Sequence, residues 1–296
     1  MKAFCPLRLL MRNINKPKCN FHTSRALLEF YESDRKGGYP HIPSKVSEKK
    51  SIIKNIIEGC QRFCYEMKVL SKEVREALRA DPVLAYRHNE VDVEWRFDGD
   101  PSRLEDWIVT CDSEYAEGFS SCSLQLSPRG TGIFSGILDT RVPKDGKLSR
   151  AGYCNITTAR RQISFRRDTP LDWTQYSHLI LRVRGDGRNY LINLATAGMF
   201  DIFWNDVHHY VLHTQGGPYW QYVKIPFSKF YLASKGRIQD IQYNIPLDQV
   251  WSIGFSLADQ ISGPFKLEID YIGVEYDALH NEEFAYETYK VEKFIT

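Results

Sequence analysis

The fold turns on the stretch Leu179-Ile180-Leu181-Arg182-Val183-Arg184-Gly185-Asp186-Gly187-Arg188-Asn189-Tyr190-Leu191-Ile192-Asn193-Leu194. Leu179, Leu181 and Val183 alternate with Ile180, Arg182 and Arg184, and after Gly-Asp-Gly the apolar positions resume at Tyr190, Ile192 and Leu194. A period of two places successive side chains on opposite faces of an extended chain, so each half reads as a strand with one face toward a core. Two such strands around a glycine-flanked aspartate read as a hairpin.

The same period runs outward from Val91 almost to residue 276, giving strands at 121–126, 132–138, 152–158, 207–213, 220–225, 253–257 and 265–276. In the last of these Phe265, Leu267, Ile269 and Tyr271 are expected to face the core, with Lys266, Glu268 and Asp270 toward solvent. Short strands separated by Gly and Pro turns, with no helical crossovers, predict an all-β domain over 91–278, a jelly-roll β-sandwich of two antiparallel sheets. Residues 279–296 form a C-terminal tail.

Upstream the period lengthens. Over 47–82 the apolar residues Ile53, Ile56, Ile57, Cys60, Phe63, Cys64, Met67, Leu70, Val74 and Leu78 fall on one side of an amphipathic helix that Asp81-Pro82 stops. This ridge packs either on its own chain or on a partner, and Ile53, Ile56, Ile57, Phe63, Met67 and Leu70 are its contact residues in the second case. Cys60 and Cys64 share a helical face without a second such pair, and read as small apolar core residues. Residues 29–46, with Gly37, Gly38, Pro40 and Pro43, read as a linker.

The first 28 residues carry Lys2, Arg8, Arg12, Lys16, Lys18 and Arg25 and no acidic group, with Leu7, Leu10, Met11 and Ile14 at helical spacing. That is the pattern of a mitochondrial presequence, and Arg8 interrupts the apolar run a secretory signal needs. Without it 33 basic groups face 37 acidic ones, a formal charge of about −4. The whole chain stands at +2, far from the basic excess of a duplex-binding protein, so nucleic acid is not an expected partner. With 43% hydrophobic residues the chain can bury a core, yet no run approaches the roughly 20 apolar residues of a membrane-spanning helix. Seven cysteines, five of them beyond the leader, do not pair into a disulfide framework.

Residues for chemistry are sparse. Gly130-Thr131-Gly132 and Gly185-Asp186-Gly187 pass from strand to strand, not into a helix N-terminus that could hold phosphate. His209 and His213 share a strand face but stand about 13 Å apart, too far for one zinc ion, and His208 points the other way. Asp172, Asp201, Asp206, Glu268 and Asp270 could supply a glycosidase pair, but carboxyl separation is not readable from spacing. No catalytic, cofactor-binding or metal-binding residue is assigned. Phe200, Phe203 and Trp204, in an aromatic loop, are expected to pack at the rim or to form a contact patch.

The segments Gly118-Phe119-Ser120-Ser121, Gly132-Ile133-Phe134-Ser135-Gly136, Ala151-Gly152-Tyr153, Leu171-Asp172-Trp173-Thr174-Gln175-Tyr176, Leu181 to Arg188, Trp220-Gln221, Ile225-Pro226-Phe227-Ser228-Lys229-Phe230, Ser252-Ile253-Gly254-Phe255 and Gly263 to Asp270 form an ordered series. Over roughly 92–278 the series resembles complex I intermediate-associated protein 30. The resemblance implies a galactose-binding-like jelly roll acting as a non-catalytic assembly factor for mitochondrial respiratory complex I. It further implies partners: membrane-arm intermediates, an acyl-CoA-dehydrogenase-like assembly factor and an adaptor known as ECSIT, with matrix location and inner-membrane association through them. It supplies no catalytic motif to carry over. A carbohydrate-binding module and an unrecognised enzyme on the same scaffold are the alternatives.

Overall fold

The computed structural model describes residues 52–79, 86–144, 146, 148–196, 206–234 and 236–286. A helix, α1 (Ile52–Arg79), precedes the strands β1 (Val91–Arg96), β2 (Trp107–Cys111), β3 (Ser121–Leu126), β4 (Gly132–Leu138) and β5 (Cys154–Thr158). The short pair β6 (Gln162–Ile163) and β7 (Arg167–Asp168) follows, then β8 (His178–Arg184), β9 (Asn189–Thr196), β10 (Asp206–His213) and β11 (Gln221–Pro226). The last four are β12 (Tyr231–Ser234), β13 (Arg237–Ile238), β14 (Val250–Leu257) and β15 (Gly263–Glu275).

Among the described residues the strands other than the separate β6-β7 pair build two stacked antiparallel sheets. One runs β11-β8-β15-β4-β3, with β1 also on β15, and the other runs β13-β12-β10-β9-β14-β5-β2. Between them Phe134, Leu181, Val183 and Leu267 of the first sheet join Ile156, Tyr190, Ile192, Leu194 and Phe255 of the second in one buried cluster. The period-two pattern thus yields the jelly-roll sandwich it predicts, with each apolar face turned inward.

The hairpin at Gly185-Asp186-Gly187 is not formed. β8 lies between β11 and β15, whereas β9 lies between β10 and β14 in the other sheet, so these residues arch the chain from one layer to the next. A hairpin and an arch share the same alternation, and the pairing edges decide between them. β8 is claimed by β15 through Val183↔Ile269 and by β11 through Leu181↔Val223, while Ile192 of β9 pairs with Phe255 and Tyr210. At the arch Gly187 takes φ +93°, and a Cβ on Gly185 would come within 2.2 Å of the Thr214 Cβ. The Asp186 carboxylate accepts from the Tyr190 hydroxyl and the Lys266 amide, which ties the arch to both layers.

A second expectation fails at Tyr271. An extra residue at Asp270 sits between the pairs Ile269↔Val183 and Tyr271↔Arg182, a bulge that shifts the phase of β15. Tyr271 therefore moves to the outer face, with the Arg96 guanidinium 5.6 Å from its ring centroid, and Ile272 and Val274 take the buried positions. The start of the C-terminal tail is held on the domain by the Tyr286 hydroxyl on the Lys229 carbonyl, 2.7 Å, and the Ala285 amide on the Ser228 carbonyl, 3.1 Å. No described helix is long and apolar enough to cross a membrane.

Candidate functional site

α1 meets the rest of the chain through its carboxylates. Between β6 and β7 the backbone turns with Phe165 at φ +59°, which aims two successive amides outward. The Ser164 amide and hydroxyl donate to the two oxygens of Glu73 at 2.6 and 2.8 Å, and the Phe165 amide donates to Glu66 at 2.7 Å. The Arg167 Nη2 lies 3.4 Å from Glu73, and the rings of Phe63 and Phe165 stand 6.1 Å apart. Glu66, Val69, Leu70 and Glu73 are the half-buried residues of the helix from Glu58 onward, and none there is fully buried.

Among the described residues the apolar ridge is therefore mostly exposed: Phe63 is 58% exposed, Met67 44%, Val74 49% and Leu78 83%. It lies roughly a third of a turn from the clasp stripe at 3.6 residues per turn. Of the described contact residues, Leu70 turns toward the clasp and the Phe63 ring reaches Phe165 within it. Cys60 and Cys64 are exposed, not core residues as expected, because the helix buries its carboxylate stripe instead of the cysteine face. The side chains of Ile53, Ile56 and Ile57, and Phe200, Phe203 and Trp204 entirely, lie outside the described residues. Nothing in the sequence pairs Glu66 and Glu73 with Ser164 and Phe165, since a two-residue strand gives no periodic signal.

The carboxylates on β15 are engaged in ion pairs. Glu268, expected to face solvent, is only 2% exposed and is paired with the Arg184 guanidinium while accepting from the Thr131 hydroxyl. Burial alone would raise this carboxyl, but the Thr131 and Arg184 hydrogen bonds outweigh it and hold the group below the usual carboxylate range. Asp270 accepts from Arg182 Nη1 at 2.6 Å, and Arg182 and Arg184 both lie 5.1 Å from the Trp220 ring centroid. This ladder fastens β8 to β15 and covers the aromatic ring. Asp172 caps its own turn through the Thr174 amide at 3.0 Å. Asp201 and the Asp206 side chain lie outside the described residues.

The strand histidines separate as their alternation predicts. His208 is fully buried against the Tyr243 ring, whereas His209 and His213 bond the Asn193 and Asn189 side-chain oxygens at 2.7 and 2.8 Å. Burial pushes His208 and His209 down to about 4, which keeps both rings neutral near pH 7. Among the described residues no group of three or more His, Cys, Asp or Glu is arranged to hold a metal ion.

Residues of the ordered motif series are largely interior. Trp173, Phe227, Phe230, Ile253, Phe255, Leu267 and Ile269 are buried, and the Trp173 and Phe227 rings stack at 5.8 Å. Much of the series thus serves to pack the sandwich.

Two stacked antiparallel sheets with a clasped amphipathic helix beside them define the chain as a jelly-roll β-sandwich with an appended helical segment. The family model for complex I intermediate-associated protein 30 matches residues 95–269, and the chain belongs to that family. It is 49% identical over 276 residues to the mitochondrial complex I intermediate-associated protein 30 of Drosophila melanogaster, covering 93% of this chain and 92% of that one. The mouse protein of the same name is 38% identical over 252 residues, covering 84% and 74%. Among solved structures, the family 11 carbohydrate-binding module of a Clostridium thermocellum cellulosomal cellulase aligns over 66% of this chain and 100% of that one, at 16% identity and a TM-score of 0.46.

Proposed function

We propose that this chain is a non-catalytic assembly factor for mitochondrial respiratory complex I, a chaperone-like scaffold that holds partly built intermediates. The relatives' shared name supplies the target, and the observation that carries the mode of action is the uncovered ridge of a helix fixed by carboxylates on another stripe. In this reading residues 1–28 deliver the chain to the matrix, and contacts with the acyl-CoA-dehydrogenase-like factor, the ECSIT-type adaptor and membrane-arm intermediates bring it to the inner membrane.

Ile53, Ile56, Ile57, Phe63 and Met67 form the docking surface, continued by Val74 and Leu78. Each large side chain that a partner covers contributes about 1.5–3 kcal/mol, and a few dominate. The test is Phe63→Asp with Met67→Asp in the full chain. Recovery of complex I intermediates with the tagged protein from mitochondria falls at least about tenfold, by the free-energy equivalent of 1.4 kcal/mol per decade. The thermal midpoint of the sandwich stays unchanged, since neither side chain is buried in it. Undiminished recovery with an intact sandwich refutes the docking role.

A further inference from the structure

Three free thiols converge where the open edges of the two sheets meet. Cys111 of β2 and Cys154 of β5 are directly opposed in register, and both are buried. From the other sheet Cys122 of β3 lies against them: its Sγ is 3.5 Å from the Thr110 carbonyl, and the Cys154 Sγ is 3.9 Å from the Ser121 carbonyl. The Cys111 Sγ lies 3.1 Å from the Ser113 hydroxyl in the same patch. Cys122 is the one of the three that is not fully buried.

We infer that Cys122 and Cys154 form a peroxide-driven thiol–disulfide couple that reversibly staples β3 of one sheet to β5 of the other. The inference stands apart from the assembly role and uses none of the ridge residues. The roles of the two sulfurs follow from their surroundings. Hydrogen bonds from the Cys154 thiol, the Asn155 amide and the Cys111 thiol favour the Cys122 thiolate against the cost of its burial and lower its ionisation point. Cys154, donating to Cys122 and buried, is pushed up and keeps its proton.

The chemistry balances with a hydroperoxide as oxidant. The Cys122 thiolate attacks one peroxide oxygen, the O–O bond breaks, and the departing hydroxide takes a proton to leave as water, giving a sulfenic acid on Cys122. The Cys154 sulfur then attacks the Cys122 sulfur, the S–O bond breaks, and the hydroxide leaves with the Cys154 proton as a second water. Two thiols have lost two electrons and two protons, and one peroxide has become two waters. Each sulfur already lies beside the backbone of the facing strand, and closing the couple brings the two to the disulfide length of about 2.05 Å. A thiol reductant of the glutathione class reverses the bond by exchange.

The test treats the full native chain with hydrogen peroxide, blocks remaining thiols with a maleimide and maps peptides without reduction. The expected product is a Cys122–Cys154 link that dithiothreitol removes, with Cys111 recovered as the maleimide adduct. In the untreated protein, maleimide modifies Cys122 at least about tenfold faster than Cys111 or Cys154. Cys111→Ser retains the link. Cys154→Ser loses it and leaves a Cys122 sulfenic acid that dimedone traps. A link from Cys154 to Cys111, oxidation of Cys122 to the sulfinic acid without a link, three unmodified thiols, or stoichiometric zinc or copper bound to the purified protein each overturns the assignment. If Cys154→Ser does not fold, the wild-type map with the Cys111→Ser map decides the question.

Discussion

Removing the clasp is the sharpest test of how the helix is held. Glu73→Ala deletes the acceptor of the Ser164 amide and hydroxyl, and Glu66→Ala deletes that of the Phe165 amide. Ser164 is fully buried, so its amide has no easy access to water once the carboxylate is gone. Its hydroxyl keeps a partner in Arg167 Nη2 at 2.8 Å, which limits the loss. Hydrogen bonds to charged acceptors contribute about 1.5–3 kcal/mol each. Taking the lower end for the two amides gives about 3 kcal/mol for the double variant, or roughly a hundredfold in the docking equilibrium of the helix. Hydrogen exchange at the Ser164 and Phe165 amides is the assay. Protection there drops by about two orders of magnitude, while amides of β9 and β14 in the middle of the sandwich keep theirs. Exchange within a few fold of wild type at both positions would refute the clasp as the element that orients α1.

Two further outcomes follow from buried groups. His208 and His209, with folded values near 4 against an ordinary 6.5, are neutral in the native state and protonate first in the unfolded one. Stability is whole above pH 6.5 and falls between 6.5 and 4, by at most about 1.4 kcal/mol per pH unit for each ring, so urea midpoints at pH 7 and 5 differ clearly and a flat profile contradicts the burial account. Gly185→Ala places a Cβ 2.2 Å from the Thr214 Cβ and lowers stability by about 1–3 kcal/mol as overpacking does; Thr214→Gly in the same chain restores part of the loss in thermal melts, and no rescue means the arch fails for another reason.

What was legible in the sequence was the side of each strand, and what was not was the neighbour of each strand. Leu179, Leu181 and Val183 declare one apolar face whether β8 turns back on itself or arches across the core, so the hairpin and the observed arch are equivalent at the level of alternation. The phase slip at Asp270 is hidden for the same reason: a bulge is visible only against the partner strand, here Arg182 and Val183. Glu268 looks like a solvent residue because its compensation by Arg184 and Thr131 comes from strands distant in sequence. The helical ridge was legible as apolar positions, but which stripe meets the chain was set by Glu66 and Glu73, whose partners sit in a two-residue hairpin. The thiol cluster likewise joins three strands that alternation treats separately.

The clasp explains how a helix can be both oriented and available. Had α1 been fastened by burying Phe63 and Met67 on its own sandwich, a partner would first have to displace contacts worth about 1.5–3 kcal/mol for each side chain, and its gain would be largely cancelled. Carboxylates on a separate stripe hold the helix while only the Phe63 ring of the described ridge meets the clasp, so on the proposed docking role a partner would have little to displace. The ordering cost is also met before the encounter, which favours affinity by preorganisation rather than by added area. The same logic predicts a reversal: a variant that breaks the clasp and leaves the ridge intact still binds, but more weakly, because the helix must be ordered at the moment of contact. Glu66→Ala with Glu73→Ala should therefore lower recovery of intermediates less than Phe63→Asp with Met67→Asp does. Equal loss from both pairs would mean that the clasp residues themselves touch the partner.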